Sequence, residues 1–300
     1  MIGLIDQLAH PVTLEQLRIF LAVARHEHVT RAAKQLNLTQ SAVSAALAAL
    51  EAQHGVALFD RVGRGIALNE AGRGFLPRAA EVLRRAEEAR RWLADLRGGE
   101  TGTLRLQASQ TVASYALPRH LMRFRARHPG IALSFRQGNT AQVLAALRAG
   151  EADLGLVEGR IDGAEFETEV IGEDRLLLLT APDHPWQHRA PGPADLAQGD
   201  WVLREPGSGT RAQFDAEMQA LGVAILPVLE LPSNEACIAA VETGHGATVL
   251  SALAAAPHLE RGHVRAASLA FPRRLFHAVT HRARHRSRAA SAFLDLLRDG

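Results

Sequence analysis

Cysteine is almost missing: Cys237 is the only one in 300 residues. That excludes an intrachain disulfide and a cysteine-built metal cluster. Long hydrophobic runs are missing too. No stretch of about 18 consecutive apolar residues occurs, so no helical membrane span is expected. Neither sign of charge dominates: 34 basic residues face 32 acidic ones for a net charge of +2. Such a balance permits a nucleic-acid partner without demanding one. The opening "MIGLIDQLAHPVT" lacks the basic segment and apolar core of a secretory signal, and the expected location is the cytoplasm.

Catalytic signatures are equally sparse. "GSGTR" has no lysine where a P-loop requires one. There is no nucleophile elbow of the form G-x-S-x-G, no H-E-x-x-H pair among the 14 histidines, and no G-x-G-x-x-G dinucleotide fingerprint. An anion-binding α/β enzyme is therefore the weaker alternative, and a stand-alone solute-binding protein would need an export signal. No catalytic residue, resident cofactor or metal site is expected.

What is present divides the chain. At 300 residues it is long for one core, so two or three units are expected. "TLEQLRIFLAVARHEH" pairs Thr13 with Gln16 in a capping-box pattern, followed by apolar residues at helical spacing. Thr30 reads as the cap of a short helix over Arg31 to Leu36. Asn37 and Leu38 form a tight turn, and Thr39 caps a further helix that stops at Gly55. Short helix, tight turn and second helix have the spacing of a helix-turn-helix. Val43, Leu47 and Leu50 share one face, which leaves Gln40, Ser41, Ser44, Ala45 and Ala48 outward. An amide, hydroxyls and methyls are groups that meet base edges in a major groove. The same pattern also suits an Ala-rich bundle helix with a solvated outer face.

The next segment decides between them. "VALFDRVGRGIALNEAG" reads as a hairpin with Arg61 and Arg64 at its tip, a wing that places both on phosphate. Arg31 and Lys34 are expected to join them, with Thr39 beside the groove. A long helix follows in "GRGFLPRAAEVLRRAEEARRWLADLRGGETG". Leu76 and Leu83, and Ala79, Ala86 and Leu93, recur every seven residues as a narrow dimerising seam.

Residues from about 12 to 98 resemble the N-terminal domain of LysR-type transcriptional regulators. The matching stretches are "LEQLRIFLAVARHEHVTRAAKQLNLTQSAVSAALAALEAQHGVALFDR", the "GRGIALNEAG" wing and the helix after it. The resemblance implies a winged helix-turn-helix over 12–71, all-α apart from its wing, and a linker helix over 72–98 that pairs two subunits. It implies a C-terminal effector domain over 101–300, similar to periplasmic binding proteins. The partners it implies are double-stranded DNA with a roughly palindromic operator, a small anion or carboxylate effector, and a second or fourth copy of the chain. Ala45, Ala46 and Ala48 stand where many relatives carry Arg or Lys, and Asn69 where the wing usually has Thr.

From Thr101 strands alternate with helices, as in "TLRLQAS", "IALSFRQGN", "ADLGLVEG", "RLLLLTAP", "WVLREP", "ILPVLELP" and "HGATVLS" with helical patterns between them. Parallel, doubly wound sheets are expected, folded as two subdomains around a cleft, the second over about 176–268. Ligands of open α/β sheets bind where strand ends meet helix N-termini. Four junctions qualify: "ASQT", "GNT", "EPGSGTR" and "PSNE". Ser233 and Asn234 read as caps alone. Gly207, Ser208, Gly209 and Thr210, with Arg211 beside them, exceed what a cap needs and read as an anion loop. By the resemblance, effector contact also falls on Ser109, Gln110, Thr111, Asn139 and Thr140, and on Glu158. The "REPGSGTR" loop resembles that of members governing sulfur assimilation or carbon fixation. Cys237 lies in an apolar helix and reads as an inert buried thiol.

Overall fold

A computed structural model describes residues 11–63, 65–96, 101–244 and 246–299. The chain forms two compact units, Met1–Leu93 and Ala94–Gly300.

In the first unit, α1 (Leu14–His26) opens on the Thr13–Gln16 capping box, with both reciprocal hydrogen bonds made. Helix α2 (Val29–Leu36) begins earlier than the sequence suggests. Thr30 lies within it, and the capping position falls to His28, which makes no side-chain cap bond. Asn37 then takes a left-handed φ of 55° and ends the helix. Thr39 accepts from the Ala42 amide to start α3 (Gln40–His54), and Gly55 closes it at φ 65°. Phe20, Val23, Ala32, Val43 and Leu50 are buried together, which fixes the three helices against one another.

The wing is an antiparallel pair, β1 (Phe59–Val62) and β2 (Gly65–Leu68), with Arg61 opposite Ile66. Two devices aim it. Glu51 on α3 accepts from the Leu58 and Phe59 amides at 2.7 and 3.3 Å. Phe20 packs edge-on to Phe59 at 5.5 Å and against Phe75 at 5.0 Å. Asn69 accepts from the Gly72 amide and donates to the Ala57 carbonyl, both at 2.9 Å, so it caps α4 (Glu70–Leu96) and ties it to the wing. Its place in the wing is thus structural. On α4, Ala79 is buried in the unit's own core with Leu76 and Leu83 packed beside it, while Val82, Trp92 and Leu93 are exposed.

The second unit is a mixed α/β fold. Its central path runs β4 (Ile131–Gly138), β3 (Gly102–Ser109), β5 (Leu154–Glu158), β11 (Arg273–His281), β6 (Phe166–Thr180), β9 (Ala247–Ser251), β7 (Trp201–Arg204), β8 (Pro227–Leu231). A short β10 (Arg265–Ala266) pairs with β6. The expectation of parallel sheets holds for β3 with β4 and β5, and for β7 with β8 and β9. It fails in the middle. There β6 and β11 cross between the subdomains, antiparallel to each other and to β5 and β9. Two crossing strands must run opposite ways, since one leaves the first subdomain and the other returns to it. Each subdomain has its own core. Leu104, Phe124, Leu154 and Phe293 fill the first, with α5 (Pro118–Arg127) and α11 (Arg288–Arg298) over it. Trp201, Phe214, Met218 and Val249 fill part of the second. Helices α7 (Pro193–Gln198) and α10 (Ala252–Glu260) escape the sequence reading; α7 is short, and α10 is apolar nearly throughout, without a clear period.

Where the strands cross, Arg274 donates to Asp174 at 2.7 and 3.0 Å, with both side chains 1% exposed. A third Arg274 bond, 3.0 Å to the Thr210 hydroxyl, fixes the start of α8 (Gly209–Ala220) over the crossing.

Candidate DNA-binding face and effector cleft

On α3 the apolar period decides what is left outside. Val43, Leu47 and Leu50 are buried, so Gln40, Ser41, Ser44, Ala45 and Ala48 form one exposed face. Thr39 is engaged as the cap, and its hydroxyl lies 3.0 Å from that of Ser41. Arg31 and Lys34 are exposed on α2, and Arg61 on β1. Arg64 lies outside the described residues. The unit therefore brings an uncharged, hydrogen-bonding helix face and exposed cations together on one small frame.

The cleft residues of the second unit behave differently: most of their polar atoms bond to one another. The Ser109 hydroxyl donates to the buried Glu158 carboxylate. Gln110 accepts from the Asn234 amide at 2.9 Å and donates to Glu235 at 2.7 Å. Thr111 accepts from the Asn234 side chain at 3.4 Å. Asn139 caps α6 (Thr140–Ala149) and donates to Glu205 at 3.2 Å. Ser208 accepts from the Arg211 amide as the cap of α8, and Thr210 accepts from Arg274.

The arginines of "REPGSGTR" are engaged as well. Arg204, 2% exposed, donates to Asn234 at 2.7 Å and to Glu205 at 2.9 Å. Arg211 pairs with Asp215 at 2.8 Å and Glu230 at 2.9 Å. The loop's glycines have a packing reason. A Cβ at Gly209 would stand 2.6 Å from the Glu158 carbonyl oxygen and 2.8 Å from the Thr140 hydroxyl. Gly207, at φ 91°, accepts from the Ala141 amide at 3.1 Å. The two subdomains meet here backbone to backbone, a distance only glycine allows.

One hydroxyl remains. Thr140 Oγ1 is buried and has no hydrogen-bond partner. It lines a cavity of about 660 Å³ together with Gly207, Ser208 and Gly209, so four of the sequence-derived effector residues come to one place. Ser109, Gln110, Thr111, Asn139, Glu158 and Thr210 do not line it. The first turns of α6 and α8 both line this cavity with their positive helix ends, while the Ala141, Gln142 and Arg211 amides are already bonded to Gly207, Asn139 and Ser208. Arg160 and Arg273 stand in its wall, each paired only with an exposed carboxylate, Asp162 and Glu173. Pairs of that kind exchange partners at little cost. His277 lines it too; burial pushes the imidazole below its ordinary range, toward the neutral form, and its Nδ1 has no partner.

Sequence reasoning misses Tyr115 and Glu205, and it places Arg204 and Glu235 at their strand–helix junctions without assigning them a partner. Tyr115 donates to Glu235 at 2.6 Å. Burial and this bond raise the phenol well above its usual range. Burial pushes the Glu235 carboxyl up, but bonds from Tyr115, its own amide and Gln110 outweigh that and hold it below the usual range. Tyr115 and Glu235 find partners 120 and 125 residues away, and Arg204 and Glu205 reach Asn234 and Asn139 at 30 and 66 residues, so no local pattern announces these contacts. Cys237 is wholly buried, which raises its thiol to about 11 and leaves it inert.

A family model for the LysR substrate binding domain matches residues 97–300, and one for the bacterial regulatory helix-turn-helix protein, lysR family, matches 14–73. The chain is 35% identical over 286 residues to the uncharacterized HTH-type transcriptional regulator YeiE of Escherichia coli K12, covering 95% of this chain and 96% of that one. It is 35% identical over 289 residues to the RuBisCO operon transcriptional regulator of Allochromatium vinosum, covering 95% of each. Among solved structures, the Synechocystis CcmR regulatory domain in complex with 2-PG superposes with a TM-score of 0.60 at 28% identity, covering 66% of this chain and 96% of that one.

Proposed function

The chain belongs to the LysR family of bacterial regulatory helix-turn-helix proteins, a transcriptional regulator and not an enzyme; from that premise we propose that a small anion between its α/β subdomains sets how it binds DNA. The observation that carries the reading is the Thr140 hydroxyl, buried without a partner in a cavity on which two helix N-termini open. Buried hydroxyls are almost always bonded, so we read the unbonded Thr140 hydroxyl, in the wall of a largely apolar cavity that also carries Arg160 and Arg273, as a ligand's place. Sulfite, sulfate, phosphate and small carboxylates all suit a hydroxyl, positive helix ends and exchangeable arginines. That the CcmR regulatory domain takes up 2-PG supports a small ligand in the corresponding unit here.

In this reading Gln40, Ser41 and Ser44 meet base edges, Ala45 offers a methyl contact, and Arg31, Lys34, Arg61 and Arg64 hold phosphates. Thr39 orients the helix that carries the base contacts. Two copies reading two half-sites require a roughly palindromic operator. Self-association is supported by the two edges of the second unit's sheet: Phe135 on β4 and Val228 and Leu229 on β8 are exposed. Open edges with apolar side chains invite pairing. No described helix is long and apolar enough to cross a membrane, and the working location in this reading is the cytoplasm.

An anion that binds one closure state of the subdomains better than another shifts the balance between them. The test is fluorescence anisotropy of the full chain on its own promoter DNA, titrated with each anion. One anion should change DNA affinity several-fold, and DNA should change the anion's affinity by the same factor. Unchanged DNA affinity with every anion would refute the coupling.

A further inference from the structure

At the far end of α9 (Asn234–Val241) from the cleft, three side chains with metal-ligating atoms converge, and we infer that Glu242, His258 and His263 form a binding site for a Zn²⁺-class divalent cation. The His258 Nδ1 lies 2.9 Å from Glu242 Oε1, and the His263 Nδ1 lies 3.3 Å from the same oxygen. The ligand atoms of all three groups lie within 4.8 Å of one another. Zinc–ligand bonds of about 2.0–2.1 Å in a tetrahedron set ligand atoms about 3.3 Å apart. Two of the three edges are therefore near that length already, and the His–His edge is no longer than 4.8 Å.

The backbone holds the ligands in place. Glu242 follows Val241 and His263 precedes Val264, and both valines are wholly buried in one core. Gly262, at φ 74°, turns the chain after α10, and the His263 amide donates to the His258 carbonyl at 3.1 Å, which brings the two imidazoles onto one turn. The electrostatics favour a cation. Glu242 sits at the C-terminal cap of α9, where the helix carries partial negative charge and a carboxylate is unwelcome. Two imidazoles and one carboxylate suit Zn²⁺, Co²⁺, Ni²⁺ or Cu²⁺ and disfavour Mg²⁺ and Ca²⁺. Part of each side chain is exposed, which leaves an entry path and room for water in the remaining coordination positions. The sequence half-shows the site: His258 and His263 have the H-x4-H spacing of half a zinc motif, but the third ligand is Glu242, 16 residues upstream, and no cysteine pair accompanies them.

The site is separate from the cleft, since the eight residues of α9 span about 12 Å at 1.5 Å each. Its failure would leave the anion reading intact. The test is titration of the chelator-treated full chain with Co²⁺, followed by displacement with Zn²⁺. Wild type should take one equivalent, with the d–d absorption of a low-coordinate, nitrogen-bound Co²⁺ lost on adding Zn²⁺. Glu242→Gln and His263→Gln should each weaken Zn²⁺ binding at least about tenfold, with circular dichroism and melting of the metal-free chain unchanged. Equal affinity and stoichiometry in wild type and the His258→Ala/His263→Ala double variant would assign the metal to other histidines and overturn the site. So would the absence of saturable Zn²⁺ binding in wild type.

Discussion

The helix-turn-helix unit and the α/β unit use polar side chains in opposite ways. On the outer face of α3, Gln40, Ser41 and Ser44 lie exposed, and among the described residues their side chains make no bond to another element apart from the Thr39–Ser41 contact. In the cleft, Ser109, Gln110, Thr111 and Asn139 are all buried and bonded to partners far along the chain. A polar group on an outer helix face is free for an external partner. A polar group in a cleft must be satisfied there, and satisfying it joins the subdomains. The residues that remain for a ligand in the cleft are then those the fold leaves unsatisfied, above all Thr140.

Substitutions can break that contrast, and the largest effect is expected at the strand crossing. Asp174→Ala strands the Arg274 guanidinium in a site 1% exposed and should destabilise the second unit by about 3–5 kcal/mol, measured by urea unfolding. On the exposed side, Gln40→Ala with Ser44→Ala should leave stability within about 0.5 kcal/mol yet reduce discrimination between operator and unrelated DNA by about 1–3 kcal/mol, measured by competition binding. Arg61→Ala should weaken binding to all sequences alike and lower the salt slope by about one; an unchanged slope would remove Arg61 from the phosphate contacts. The smallest effect is one of pH. The Glu235 carboxyl is held below its ordinary value, so the contribution of its bonds with Tyr115 and Gln110 is complete above that ordinary value and lost as pH falls through the lowered one. Glu235→Gln should flatten this acid limb in a melting series, and an identical limb in both proteins would show that Glu235 does not set it.

Legibility followed the same line. The helix-turn-helix could be read because its signals are local: the Thr13 and Thr39 caps, the Val43–Leu47–Leu50 period and the Gly55 stop all act within a few residues. Thr30 misled because a threonine near a helix start resembles a cap, while the chain begins that helix at Val29. In the α/β unit the element order was readable, but the antiparallel crossing was not, since only pairing at long range sets strand direction. The "REPGSGTR" loop reads as an anion loop from composition, and Gly207, Ser208 and Gly209 do line the cavity; what composition does not show is that its arginines pair with carboxylates and that Gly209 serves the close approach at Glu158. Ser233 and Asn234 both read as caps; Ser233 is one, and Asn234 instead joins Gln110, Thr111 and Arg204 across the cleft.

Thr140→Val separates the two uses of a polar group in a single residue. The change keeps the shape of the side chain and removes a hydroxyl that has no partner in the fold, so folding stability should stay level or rise slightly. Melting the full chain with and without saturating small anions reads both properties at once, because a ligand at 100 times its Kd adds about 2.7 kcal/mol. The wild-type chain should melt higher with its anion, and Thr140→Val should melt as before without it and gain little from it. An equal anion-induced rise in both chains would contradict the account.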